Sequence, residues 1–254
     1  MTRLQLFCIP HAGGSSAPYY RWRRIMPEDV LVTPIELAGH GRRLSEDLFD
    51  DAYAAARDVA HQIQAHRDPS VPYAIWGHSM GSLLAYEAYF VFREWGAVLP
   101  LHIVFSGRGA PQNTGTRTKY SAILDDEQFI AAIQGYGGST REALAAPELR
   151  KLFLPVLRAD FKLCEGYTWR PRHHRMACDI TVVNGRDDPS VNPAAVTEWA
   201  RLSSGRTRFL EAPGDHFFCF QGDEVVLQTV RGLLARIPVP TQPLCCSALE
   251  GEHR

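Results

Sequence analysis

Tyr73–Phe92 reads YAIWGHSMGSLLAYEAYFVF, and the stretch changes character at its middle. Tyr73 to Trp76 is a short apolar run of the kind that forms a buried strand. From Met80 to Trp95 apolar residues recur at helical spacing, and Gly96 follows as a C-terminal cap. At the joint a serine stands between two glycines, in Gly77-His78-Ser79-Met80-Gly81. Strand, cramped turn and helix in that order match the GxSxG nucleophile elbow. In such an elbow the serine takes a strained backbone conformation, and glycines on either side leave room where strand and helix crowd together. The pentapeptide alone is only suggestive; the strand before it and the helix after it give it weight.

Working outward, further apolar runs rich in Val, Ile and Phe predict strands at Leu4–Ile9, Val30–Leu37, Leu101–Ser106, Ile180–Asn184 and Thr207–Glu211. Helical spacing covers Ala52–His66, Ala194–Leu202 and Glu224–Arg236. Strands alternating with helices imply an α/β fold, a mostly parallel sheet with helices on both faces. Tyr120 to Tyr167 breaks the alternation with helical spacing throughout. It is expected to be an insertion, spanning about 118–167, that forms a lid beyond the carboxyl ends of the strands. One domain is expected over 1–237. The tail PVPTQPLCCSALEGEHR, 238–254, has three prolines and no periodicity, and is expected to be disordered.

The 254 residues, 45% hydrophobic and 22% charged, suffice for a full core. A net charge of -1 and a pI near 6.8 offer none of the basic field that polyanion binding needs, so nucleic acid is not an expected partner. The N-terminal apolar run is too short for a signal peptide, and the run from Tyr73 is interrupted by His78, Ser79, Ser82 and Glu87, so no membrane span is expected. The six cysteines, Cys8, Cys164, Cys178, Cys219, Cys245 and Cys246, form no CxxC pair, which suits reduced thiols in a cytoplasm.

A serine hydroxyl is a poor nucleophile until a base takes its proton, so Ser79 requires a histidine oriented by a carboxylate, both downstream. ITVVNGRDDPSV places Asp187 and Asp188 in a turn after a strand, and FLEAPGDHFF places His216 in a turn after the last strand. Either aspartate could instead cap its turn, and His216 could be a satisfied core histidine. Jointly, in this order and each after a strand, they favour a triad. Two backbone N–H groups should hold the oxyanion. Met80 follows the nucleophile at a helix N-terminus, and Ala12 lies in the His11-Ala12-Gly13-Gly14 loop after the first strand. His173 and His174 sit in the basic stretch RPRHHR, and no histidine pair has metal-binding spacing, so neither a metal nor an organic cofactor is expected.

Together, CIPHAGGSSAPYYRW, GHSMGSLLAYE, FSGRGAP, GYGG, LPVLRADFKLCEGY, NGRDDPSV and GDHFF resemble the type II thioesterases of polyketide and nonribosomal-peptide assembly lines. The resemblance covers about residues 4 to 236. It implies an α/β-hydrolase fold with a helical lid and an activity that hydrolyses stalled or misprimed acyl groups from the phosphopantetheine arm of a carrier protein. Carried over by position, the nucleophile is Ser79 and the base His216. The acid is Asp188, third after Gly185, with Asp187 as second choice. The chain departs from the family at ELAGHGRR, where Ala38-Gly39-His40 replaces a frequent Pro-Gly-Arg in a loop that could touch carrier or substrate. A monomer is expected, with a slot for the arm between the elbow and Tyr120–Tyr167. Arg21, Arg23, Arg24 or the RPRHHR loop are candidates to face an acidic carrier. Competing readings are a thioesterase that releases medium or long chains, a small-molecule carboxylesterase, and a catalytically silent carrier-binding protein.

Overall fold

A computed structural model describes residues 2–113, 119–134, 144 and 146–237. Six strands, β1 (Leu4–Ile9), β2 (Val30–Pro34), β3 (Tyr73–His78), β4 (His102–Ser106), β5 (Asp179–Gly185) and β6 (Thr207–Ala212), form one sheet in the order β2-β1-β3-β4-β5-β6. Every neighbouring pair is parallel. All carboxyl ends therefore face one edge, where the turns that follow β1, β3, β5 and β6 converge. The helices named below are α1 (Ala52–His66), α2 (Met80–Glu94), α3 (Asp126–Ile133), α4 (Pro147–Gly166) and α5 (Glu224–Leu234).

Period-two alternation along the strands builds two cores. Phe7, Ile9, Tyr73, Ile75, Ile103, Phe105, Ile180 and Val182 point to the face covered by α1 and α2. Leu4, Leu6, Cys8, Ala74, Trp76, Val104 and Val183 point to the other, covered by Tyr19, Trp22 and α5. Burial on both faces is why these strands read as continuous apolar runs rather than alternating ones. Small residues Ala52, Ala55, Ala56 and Ala60 let α1 lie close against α2, whose residues 80–92 are all buried. The Asp51 side chain caps α1 by accepting from the Ala54 N–H at 2.9 Å, and Gly96, at φ 61°, ends α2.

The strands and helices expected from the sequence are present, with shifted ends. β2 stops at Pro34 rather than Leu37 because its partner β1 turns away after Ile9. The helix expected at Ala194–Leu202 divides into a short α turn, Pro193–Thr197, and a 3-10 turn, Glu198–Arg201. Between β4 and β5 the described residues are helical or irregular apart from one bridge, Met176–Ser203, and Leu144 joins Phe129, Ile130 and Ile133 of α3 and Leu154 and Leu157 of α4 in a small core. The GYGG block and the tail 238–254, with Cys245 and Cys246, lie outside the described residues. No described helix is long and apolar enough to cross a membrane.

Candidate active site

Ser79 has φ 53° and ψ -110°, the one non-glycine residue at positive φ among the described residues. Such a conformation costs about 1–3 kcal/mol and persists only where its surroundings enforce it. They do so here. The Ser79 N–H donates to the Ser106 carbonyl at the end of β4 at 2.7 Å. The Ser82 hydroxyl lies 2.8 Å from the Gly77 carbonyl and 3.0 Å from that of Ser106, and accepts from the Ser106 N–H at 3.0 Å. A methyl group on Gly77 would overlap the Gly81 carbonyl, and one on Gly81 would overlap that of Ile9, so both glycines are needed for strand and helix to meet.

Asp188 and His216 come together because β5 and β6 are neighbours and their following turns touch. The Arg186 N–H donates to Ala212 O at 2.8 Å and that of Asp187 to Gly214 O at 3.0 Å. A side chain at Gly185 would collide with the Asp215 carbonyl. His216 Nδ1 then lies 2.6 Å from Asp188 Oδ2, both side chains buried. With Nδ1 donating to the carboxylate, Nε2 is left as the proton acceptor. Burial would raise the Asp188 pKa, but hydrogen bonds from His216 and Ser190 outweigh it and hold the carboxyl below its usual value. Asp187 is exposed and takes no part in this pair. Across from the pair, His216 Cε1 borders Gly107, the residue after the Ser106 carbonyl that holds Ser79.

Met80 opens α2, and Ala12 follows β1 in a turn closed by a 2.9 Å bond from Gly14 N–H to His11 O. Among the described residues neither the Met80 nor the Ala12 N–H has a protein acceptor. His11 and His78 pack beside His216, with ring centroids 5.7 Å apart for His11–His78 and 5.1 Å for His78–His216. Burial, helped by the neighbouring imidazoles, pushes the His11 pKa down to about 3 and that of His78 well below normal. Both stay neutral and add no charge beside His216.

Several contributors have no sequence motif to announce them. Ser190 donates its hydroxyl to Asp188 Oδ1 at 2.6 Å and its N–H to the same atom at 2.9 Å. Buried Glu36 accepts from the Ser16 N–H at 2.8 Å and the Ser16 hydroxyl at 2.7 Å, tying down the far end of the Ala12 loop. Asp160, buried on α4, reaches both Gly13 and His40. Asp160 does carry one signal: it stands three residues from each of Leu157 and Leu163, an acid in the apolar stripe of its helix. In the ELAGHGRR loop, a candidate to touch carrier or substrate, Ala38 and His40 are buried and Arg42 is exposed. Of the candidate docking arginines, Arg21 pairs with Asp223 and Arg23 donates to Val32 O. Arg170 lies over Tyr53 and Arg172 pairs with buried Glu87. Arg24 is exposed, with no ion-pair partner among the described residues. No group of three or more His, Cys, Asp or Glu among the described residues could hold a metal ion.

Residues 4–234 match the thioesterase domain family. The chain is 33% identical to the gramicidin S biosynthesis protein GrsT of Aneurinibacillus migulanus over 219 residues, 86% of this chain and 84% of that protein. Its structure is similar to that of RedJ, the thioesterase from the prodiginine biosynthetic pathway in Streptomyces coelicolor. That match has TM-score 0.81 and 35% identity, over 92% of this chain and 85% of that one. BorB, the type II thioesterase from the borrelidin biosynthetic cluster, matches with TM-score 0.82 and 28% identity, over 92% and 93%. The sheet, the elbow and these likenesses define a serine hydrolase of the α/β-hydrolase fold. The chain belongs to the thioesterase family, acts on thioesters, and falls with the type II enzymes of assembly-line biosynthesis.

Proposed function

We propose that this enzyme hydrolyses acyl thioesters on the phosphopantetheine arm of carrier proteins, clearing stalled or misprimed acyl groups from a polyketide or nonribosomal-peptide assembly line. The carrying observation is the conjunction at one sheet edge of Ser79 in its positive-φ turn with the buried His216–Asp188 couple. In this reading His216 Nε2 takes the Ser79 hydroxyl proton as Oγ attacks the thioester carbon, and the Ala12 and Met80 amides hold the oxyanion. Collapse breaks the C–S bond, and the imidazolium returns the proton to the pantetheine sulfur. Neutral His216 next takes a proton from water, whose oxygen attacks the acyl ester. The second collapse frees the carboxylic acid and restores the Ser79 hydroxyl. The chain's own amides and imidazole supply this chemistry, so no metal or organic cofactor is proposed.

Arg24 and Arg42 are exposed and are the candidates to face an acidic carrier. We place the arm's entry beside α4, because Leu157 and Asp160 of that helix border Gly13. The decisive experiment supplies carrier proteins loaded with acetyl, propionyl, octanoyl or palmitoyl groups, alongside acyl-CoA and simple esters. Preference for short chains on the carrier is expected. Preference for octanoyl or palmitoyl would replace editing with chain release, and preference for simple esters would replace both with a carboxylesterase. Ser79→Ala should abolish turnover and the acyl-enzyme seen by mass spectrometry while carrier binding persists; retained turnover would sink the mechanism.

A further inference from the structure

The Ala12 loop is held by groups that lie far away in sequence. Gly13 N–H donates to Asp160 Oδ2 at 2.6 Å, and His40 Nε2 lies 2.8 Å from the same oxygen. The carboxylate belongs to α4, 147 residues beyond Gly13. One turn earlier on that helix, the Leu157 side chain fills the space where a Cβ on Gly13 would stand, and Gly13 itself is at φ 71°. The other nitrogen of His40, Nδ1, is 2.9 Å from Ala38 O. A carbonyl can only accept, so Nδ1 carries a proton, and Nε2 facing a carboxylate carries one as well.

We infer that Asp160 is a positioning residue: with His40 as its counter-charge, it fixes the Ala12–Gly13 peptide and so the aim of the Ala12 N–H, latching α4 to the oxyanion loop. The argument is one of geometry. The Gly13 nitrogen belongs to the peptide that starts at the Ala12 carbonyl, so anchoring it fixes ψ of Ala12, and the His11–Gly14 turn closes the loop from the other side. A freely rotating loop would have to order itself in the transition state, whereas an anchored one is already in place. The latch has a second consequence. If α4 swings away, Gly13 loses its acceptor and the oxyanion donor loses its aim, so the site is competent only with α4 seated.

His40 adds a dependence on pH. Burial would lower its pKa, but the hydrogen bond and charge of Asp160, with help from Ala38 O and the Glu36 charge, outweigh burial and raise it. The charged and titratable groups around it are Asp160 on α4, Glu36 after β2 and His11 in the oxyanion loop, whose pKa His40 helps to lower. The latch is therefore fully made below the raised His40 value and weakens as pH climbs through it.

This inference rests on the oxyanion role proposed for Ala12, and its test separates the two. Asp160→Ala, Asp160→Asn and His40→Gln are compared with wild type and Ser79→Ala on a short-chain acyl-carrier substrate. Circular dichroism melts establish which variants are folded. Asp160→Ala should lower kcat roughly 30-fold, below the loss for removing an oxyanion donor outright, with KM changed less than about threefold. Asp160→Asn, whose amide oxygen can still accept from Gly13, should recover part of that loss. A trifluoromethyl ketone acyl analogue, which presents an oxyanion once Ser79 adds to it, should bind about tenfold more weakly to Asp160→Ala, with little change for a non-hydrolysable amide analogue. Wild-type kcat should fall at alkaline pH, and His40→Gln, a donor that does not titrate, should lack that fall. If Ser79→Ala is inactive but folded Asp160→Ala keeps full kcat and full ketone affinity, this inference alone is overturned. An alkaline fall that is unchanged in His40→Gln removes His40 from it. Turnover by Ser79→Ala would overturn the proposed mechanism itself.

Discussion

The two halves of the site are held by different means. Around Ser79, the backbone does the holding. Ser79 is fixed by a strand-end hydrogen bond and by glycines whose neighbours are carbonyl groups, and Asp188 meets His216 because two parallel strands end side by side. Around Ala12, buried carboxylates hold a loop, with Glu36 at Ser16 and Asp160 at Gly13. Backbone contacts leave few intermediate states, so changes there should act nearly all-or-none. Side-chain contacts can be removed one at a time, so changes there should be graded.

The sharpest contrast within the first half is between neighbours. Asp188→Asn should cost about 10⁴-fold in kcat, since the wrong tautomer of His216 would then be favoured, while Asp187→Asn should stay within about twofold. Steady-state hydrolysis of one acyl-carrier substrate measures both, and a large loss for Asp187→Asn would reverse the assignment. Gly81→Ala sets a methyl against the Ile9 carbonyl, which cannot yield cheaply. A destabilisation of about 3 kcal/mol or more is expected, read as the shift of a denaturant midpoint.

Glu36→Gln tests the second half. It keeps the shape but weakens the charge-assisted bonds to Ser16, so a loss of about 1–3 kcal/mol in stability and about tenfold in kcat is expected. A drop in kcat as complete as that of Ser79→Ala would end the distinction between the halves. The smallest effect is in the acid limb of stability. Because the folded Asp188 carboxyl sits below its ordinary value, its contribution is fully present above the unfolded carboxylate value, near 4, and is lost as pH falls through the folded one. Melting temperature followed from about pH 5 to pH 2 should therefore fall less steeply in Asp188→Asn than in wild type.

The same division separates the residues that are legible in the sequence from those that are not. Ser79, Asp188 and His216 are legible because each follows a strand, and a parallel sheet brings strand ends together whatever the side chains between them. Both cores are legible in the apolar runs, because the central strands, covered on two faces, are apolar at most positions. Glu36 and His40 are not, because each acts through a contact between distant segments that no local pattern encodes, and Asp160 shows only as an acid in an apolar helix stripe, its partners hidden. His40 meets its carboxylate 120 residues away. The charged groups show the same limit: a sequence displays an arginine but not the acid already paired with it, as Asp223 is with Arg21 and Glu87 with Arg172.

The positive φ of Ser79 has an implication for how far this fold can be strengthened. A residue held in an unfavourable conformation for chemistry is a standing load on the native state, and glycine would remove it at no steric cost. Ser79→Gly should thus give a protein that is dead as a catalyst yet melts at a higher temperature than the natural one. Selection for heat tolerance alone would favour replacing Ser79, the nucleophile of the proposed mechanism.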